Sequence, residues 1–415
     1  MKNQSRYGSW KTDSARLKHL RRDHEKHEMF DRKNFNVIRL YTILLLTMIS
    51  PLETLRAEDI KPVPQTTLEL PPGPDNPRNS EGDFVRRKDG SLLYVYTHFT
   101  TGAGDHANAH LAGRISQDGG QTWSQQDIVV IPNEGGFNIM SVSLLRLDDG
   151  RIALFYLRKN SLEDCRPILR FSSDEAKSWS DPVETIPDRE VGYYVLNNDR
   201  ALQLKNGRII LPLAQHFGPG QEKWTAYAHA VCYFSDDGGK NWQHGQEIPG
   251  TKTATGEPVM IQEPGIVELQ KNRLMMFART NAGSQYLSYS TDRGARWSDW
   301  KPSEILSPRS PATMERIPST GDLLLIWNNH EAIDPSLAGK RTPLTAAISQ
   351  DEGKTWKHVK NLADNPHGWY CYTAITFVDD HVVLGHCAGD RRNNNGLAES
   401  HVTRVPLEWF YETSK

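Results

Sequence analysis

Short apolar runs alternate with polar turn signals from about residue 66 to residue 407, and no long helical period appears. Six segments share one layout, a tight polar turn followed by an apolar run: Lys88-Asp-Gly-Ser-Leu-Leu-Tyr, Asp148-Asp-Gly-Arg-Ile-Ala-Leu, Lys205-Asn-Gly-Arg-Ile-Ile-Leu, Gln270-Lys-Asn-Arg-Leu-Met-Met, Ser319-Thr-Gly-Asp-Leu-Leu-Leu and Asp379-Asp-His-Val-Val-Leu-Gly. Asp-Gly and Asn-Gly between apolar stretches are strong short-range hairpin signals. Five copies of a second pattern interleave with the hairpins: Ser116-Gln-Asp118-Gly-Gly-Gln-Thr-Trp123, Ser172-Ser-Asp174-Glu-Ala-Lys-Ser-Trp179, Ser235-Asp-Asp237-Gly-Gly-Lys-Asn-Trp242, Ser290-Thr-Asp292-Arg-Gly-Ala-Arg-Trp297 and Ser349-Gln-Asp351-Glu-Gly-Lys-Thr-Trp356. Their starts lie 56, 63, 55 and 59 residues apart, the mark of a repeat architecture. In each copy the Asp carboxylate is suited to accept backbone N–H groups across a tight turn, with the Trp packing beneath it.

Six hairpins interleaved with five Asp–Trp turns make six units of about four strands. The pattern predicts an all-β fold, a six-bladed β-propeller with four-stranded antiparallel blades. The sixth unit lacks the Ser–Asp–Trp turn, so either Ser400–Leu407 or Thr66–Leu70 is expected to close it. The Pro-rich stretch Lys61–Pro77 reads as an extended approach to the first blade.

Residues 1–57 differ from residues 58–415, which hold the propeller. Residues 1–37 carry ten Lys or Arg against five Asp or Glu, and an apolar run Tyr41–Ile49 follows, with a small-residue cleavage site at Ala57. This predicts a basic leader with a signal peptide, or an uncleaved anchor, and Met29 is an alternative start. The expected location is periplasmic or extracellular, with membrane contact only through an anchor. Setting aside the twelve basic and six acidic residues of 1–57 leaves 37 basic and 45 acidic residues, a net charge of −8 with His neutral. A mildly acidic body argues against nucleic acid as a partner. Cys165, Cys232, Cys371 and Cys387 have no metal-ligand spacing; Cys371 and Cys387 flank the last hairpin and could pair. No phosphate-cradling glycine loop, paired-His motif or Ser–His–Asp order stands out, so neither a metal nor a cofactor is expected.

In a propeller the innermost strand of each blade runs along the axis and opens at a shared mouth. Counting eight residues back from each hairpin turn reaches Glu81, Ser141, Asn198, Glu263, Ala312 and Tyr372. Five of these six are polar or ionisable, where a purely structural strand would tend to be apolar. Two glutamates and a tyrosine at one mouth make the default active-site expectation. Arg166 in Asp164-Cys-Arg, Asn198 and Arg200 in Asn197-Asn-Asp-Arg, His110 and His216 are further expected contacts for a substrate.

These motifs resemble the sialidase (neuraminidase) superfamily, whose six-bladed propellers carry such Asp-box turns; the resemblance covers roughly residues 75–410. Tyr372-Thr-Ala-Ile-Thr-Phe-Val-Asp-Asp is similar to the segment that holds the family's tyrosine nucleophile. Glu263-Pro-Gly-Ile-Val-Glu-Leu, with Arg279 after it, is similar to the segment of the partnering glutamate and a carboxylate-binding arginine. The resemblance implies Arg341 as a further arginine of that set and Asp105, in Thr101-Gly-Ala-Gly-Asp, as the acid/base. It implies a retaining exo-glycosidase acting on a terminal sialic acid or related acidic sugar. A tyrosine suits that chemistry, because a carboxylate nucleophile would be repelled by the sugar's own carboxylate. Partial burial is expected to raise the Asp105 pKa for its acid role.

One position departs from the family. Where its first arginine is expected, this chain has Glu81 in Asn79-Ser-Glu-Gly-Asp-Phe. Either Glu81 pairs with Arg279 or Arg341, or the substrate carries no carboxylate there. Arg78 lies three residues earlier and could swing in to take that place, although an extended strand would carry it about 10 Å away. Glu81 and Glu263 sharing the mouth are expected to raise one pKa between them. Two other classes stay open: a hydrolase or lyase of another polysaccharide using Glu81 and Asp105 as a carboxylate pair, and a non-catalytic carbohydrate-binding propeller.

Overall fold

The computed structural model describes residues 63–412, which form an all-β fold of antiparallel sheets; the leader, its cleavage site and Met29 lie outside the described residues. Strand β1 (Gln65–Leu70) comes first in the chain but joins the last sheet. The first sheet orders β2 (Arg78–Arg86), β3 (Leu92–Phe99), β4 (Ala109–Ser116) and β5 (Ile128–Ile131). The second has nine strands: β6 (Asn138–Arg146), β7 (Ile152–Lys159), β8 (Cys165–Ser172), β9 (Val183–Glu184), β10 (Tyr193–Val195), β11 (Leu202–Gln203), β12 (Ile209–Phe217), β13 (His229–Ser235) and β14 (Gln243–His244). Three four-stranded sheets complete the fold. They are β15 (Gln262–Glu268) to β18 (Lys301–Leu306), β19 (Thr313–Arg316) to β22 (Lys357–Ala363), and β23 (Gly368–Val378), β24 (His381–Asp390) and β25 (Ser400–Pro406) with β1.

Two differences from the sequence pattern stand out. Units two and three are not separate sheets, because β10 pairs antiparallel with β12 and meets β8 in parallel at Tyr193 and Cys165. This junction lies in the longest spacing between Asp–Trp turns, where extra residues let the inner strand of unit three begin beside unit two. The last sheet also uses both candidate closing strands. β25 pairs with β24, and β1 pairs with β25 from Leu70 opposite Ser400 to Gln65 opposite Arg404. The Pro-rich stretch therefore contains a paired strand and is not only an approach.

The Asp–Trp turns form as their chemistry dictates. In the first, Ser116 Oγ donates to Asp118 Oδ1 at 2.8 Å and accepts from Gly120 N at 2.8 Å, while Thr122 N donates to Asp118 Oδ1 at 2.8 Å. The same local bonds recur at Asp174, Asp237 and Asp351. These carboxylates are turn formers.

Six apolar clusters each join consecutive units. One packs Val85, Leu93 and Val95 against Ile139, Val142 and Leu154; another packs Phe84, Tyr94 and Trp123 against Ala374, Val383 and Val402 of the last sheet. Each fully buried aliphatic or aromatic side chain contributes about 1.5–3 kcal/mol, so these seams hold the inner strands side by side.

Four inner strands carry the same irregularity. On β2, β6, β15 and β23 two residues oppose one partner, at Glu81–Gly82, Ser141–Val142, Glu263–Pro264 and Tyr372–Thr373. The first residue of each bulge is left-handed: φ is 55° at Glu81, 60° at Ser141, 48° at Glu263 and 55° at Tyr372. In unit three the inner strand breaks between β10 and β11, and the left-handed residue is Asp199, φ 55°, one beyond the counted position. The fifth unit has no such residue at Ala312.

Asp83, Asp199 and Glu315 also lie on or beside inner strands. Burial, then the Asp199 charge, pushes Asp83 well up and brings Glu315 to about 8; burial prevails over Arg200 to bring Asp199 to about 7. The folded protein therefore holds protons that the unfolded chain has released above pH about 4. The stability these three carboxyls contribute should be lost progressively as pH rises above about 4, through the Asp199 and Glu315 values near 7 and 8. Asp199→Asn should flatten that slope, as read by denaturant midpoints across the range.

Candidate active site

Two clusters assemble where the bulges turn side chains out of the strands. In the first, Tyr372 Oη donates to Glu263 Oε1 at 3.1 Å, and Arg279 Nη1 donates to the same oxygen at 2.5 Å. Arg341 lies 5.4 Å from the Tyr372 ring centroid and 5.4 Å from that of Trp369, and its Nη1 donates to Cys371 Sγ at 3.0 Å. Burial pushes Glu263 up, but Arg279 and Arg341 outweigh it and leave the carboxyl below the usual range. Burial, then the Glu263 charge, holds the Tyr372 phenol far above its ordinary value despite the two arginines. The resting pair is thus a protonated phenol donating to a carboxylate. Glu263 Oε2 and Arg279 Nε are buried with no hydrogen-bond partner among the described residues.

The second cluster centres on Arg78, which is 1% exposed. Its Nη2 donates to Glu81 Oε1 at 3.1 Å and Ser80 Oγ at 3.3 Å, and its Nη1 to Asp105 Oδ1 at 2.5 Å and Ala103 O at 3.2 Å. The guanidinium carbon sits 4.5 Å from the Phe99 ring centroid. Ser141 Oγ donates to Glu81 Oε2. Glu81 therefore pairs with Arg78, not with Arg279 or Arg341, and both its oxygens are engaged. The expectation of a distant Arg78 is corrected by the β2 bulge, which shortens the path that an extended strand would take.

Asp105 stands on the loop between β3 and β4, its side chain 60% exposed. Lys159 Nζ and Asn138 Nδ2 donate to its backbone oxygen at 2.9 and 3.0 Å, pinning the loop. Burial raises the Asp105 pKa, but Arg78 prevails and leaves it below the usual carboxylate range, which corrects the expected upward shift. Glu81 is raised, first by burial and only in small part by Glu263.

Three residues expected at the substrate are engaged elsewhere. Asn198 is fully buried, and its Nδ2 donates to Gly82 O at 2.9 Å and Tyr372 O at 3.0 Å, bracing two bulges from below. Arg200 donates to Ala312 O at 2.7 Å and Thr313 Oγ1 at 3.3 Å. Arg166 is held by Asp164 at 2.8 Å and Asp188 at 3.0 Å. Of the two histidines, His110 stacks on His98 with ring centroids 4.6 Å apart, while His216 stacks on Trp224 at 5.0 Å and senses Glu263. Lys159, buried at the end of β7, carries no motif that would single it out in the sequence. Cys371 and Cys387 face each other in register and are free thiols.

A family profile for the BNR repeat-like domain matches residues 90–384. A sialidase of Bacteroides fragilis (strain YCH46) is 27% identical over 227 residues, covering 52% of this chain and 38% of that protein. Among solved structures, the intramolecular trans-sialidase from Ruminococcus gnavus in complex with oseltamivir carboxylate gives a TM-score of 0.63 at 15% identity, covering 82% of this chain and 96% of that one. The Trypanosoma rangeli sialidase with 2,3-difluorosialic acid as a covalent intermediate gives 0.60 at 15% identity, covering 80% and 55%. At such identity the structural likeness is one of fold. The matched stretch is 38% to 55% of the length of the first curated relatives, so the chain spans roughly half of them or less.

The brace beneath the bulges has a measurable consequence. Asn198→Ala leaves two buried carbonyls unpartnered and should destabilise the fold by about 1–3 kcal/mol, seen as a lower denaturant midpoint at unchanged m-value.

Proposed function

This chain belongs to the BNR-repeat sialidase superfamily, and from that premise we propose that it is a retaining exo-glycoside hydrolase releasing a terminal sialic acid or a related acidic sugar. The observation that carries the reading is the Tyr372 phenol 3.1 Å from a Glu263 carboxylate that Arg279 also holds. In the reaction Glu263 takes the phenolic proton as Tyr372 Oη attacks the anomeric carbon. The neutral nucleophile avoids repulsion by a sugar carboxylate. Asp105 protonates the leaving oxygen, then takes a proton from the water that releases the sugar. Arg279 and Arg341 hold the substrate carboxylate, with guanidinium donors suited to two-point contact.

We read the architecture as a closed six-bladed propeller. Six apolar seams between consecutive units, the last joining the final sheet to the first, support that count. The basic-then-apolar leader supports an exported enzyme acting on glycoconjugates or polysaccharides. Glu81 and Asp105 do not suit a free carboxylate pair, because both are bound to one arginine.

The proposal is tested with aryl glycosides, including aryl sialosides, and with a 2,3-difluoro sialic acid probe. Wild type should hydrolyse the acidic sugar and gain a covalent adduct at Tyr372 by peptide mass. Tyr372→Phe should lose the adduct, and Glu263→Gln should slow turnover on the order of 10²–10⁴-fold. Binding without turnover would assign a carbohydrate-binding propeller instead. Cleavage of neutral glycosides alone, abolished in Glu81→Gln, would assign a different hydrolase.

A further inference from the structure

A general acid must carry a proton when substrate is bound, yet Asp105 is an arginine-paired carboxylate. The two ends of Arg78 differ in a way that resolves this. Nη2 is the fixed end, held by Glu81 and Ser80 within a buried pocket closed by the Phe99 ring. Nη1 donates to the exposed Asp105 carboxylate at 2.5 Å and to Ala103 O at 3.2 Å. The Asp105 loop does not depend on that ion pair, because Lys159 and Asn138 hold its backbone oxygen.

We propose that Arg78 is shared in turn between Asp105 and the substrate: it grips the Asp105 carboxylate when the site is empty, and it transfers to the sugar carboxylate on binding, whereupon Asp105 takes up the proton it later delivers. The inference rests on the sugar-acid reading of the site. It makes Glu81, at the departing family position, a positioning residue that aims an arginine supplied from three residues earlier. The exchange balances: one ion pair breaks as another forms, and one proton passes from solvent to the Asp105 carboxylate. That proton later moves to the leaving oxygen as the glycosidic C–O bond breaks and the bond to Tyr372 Oη forms.

The charges facing Asp105 make the exchange favourable in one direction. Arg78 on β2 and Lys159 on β7 are the cations, with His106 beside it on the loop; Glu81 on β2 and Tyr193 on β10 are the acidic groups that sense it. An outside anion engaging Arg78 neutralises the nearest stabilising charge and adds negative charge beside Glu81, so protonation of Asp105 follows.

The test couples binding to proton counting. 2,3-Didehydro-2-deoxy-N-acetylneuraminic acid, a sugar carboxylate with no leaving group, is titrated calorimetrically in buffers of different ionisation enthalpy. Wild type should show net proton uptake on binding near pH 4.5, whereas Asp105→Asn should show none. Independently of any ligand, the carboxyl carbon resonance of Asp105 should titrate at least about one pH unit higher in Arg78→Met than in wild type. Tight binding with no proton uptake, or an Asp105 titration unmoved in Arg78→Met, overturns the exchange while leaving the hydrolase reading intact. Failure of wild type to bind the probe at all overturns both.

Discussion

A single left-handed residue inserted into an inner strand is the constraint on which the site depends. It occurs at Glu81, Ser141, Glu263 and Tyr372, each the first of two residues facing one partner. None of the four is glycine, so each conformation costs about 1–2 kcal/mol. The surrounding structure holds them there. Asn198 bridges the carbonyls of Gly82 and Tyr372, Asp83 accepts the Leu144 N–H at 2.7 Å, and the apolar seams keep neighbouring inner strands in place. Strain of this kind is stored where a side chain must be aimed rather than merely packed.

What is aimed is a set of opposite charges in direct contact. Glu263 faces Arg279, and Glu81 faces Arg78; Arg341 is steadied by a thiol and two aromatic rings. Isolated burial of any of these groups would be costly, and pairing offsets that cost. Among the described residues the pairing is incomplete: the buried Arg279 Nε and Glu263 Oε2 keep no hydrogen-bond partner, and Asp105 keeps an exposed carboxylate. Donors and acceptors already held in place can act on a bound sugar without reorganising first.

Much of this was legible in the chain. Polar turns before apolar runs, four of the six with glycine, announced the hairpins, because local backbone chemistry decides where a strand reverses. The Ser–Asp–Trp motifs announced the outer turns for the same reason: all their partners lie within four residues of the aspartate. Glu263 and Tyr372 could be brought together from spacing alone, since residues at one level of repeated units share one level of the fold, whereas Arg279 came from the family resemblance. The count failed where repetition failed. At unit three the broken inner strand moved the left-handed position from Asn198 to Asp199, and at the sixth unit two distant segments both contributed strands.

The sequence by itself therefore determined the repeat, the hairpins, the aspartate turns and the shared level of the tyrosine and glutamate. Tertiary structure alone decided the partners of the charges: that Arg78 reaches Glu81 and Asp105, that Asn198 and Arg200 brace the interior, and that Lys159 pins the Asp105 loop. The reason is physical. Turns and strand periods are set by groups a few residues apart, whereas an ion pair is chosen by distances in space, and a one-residue bulge is enough to exchange one partner for another.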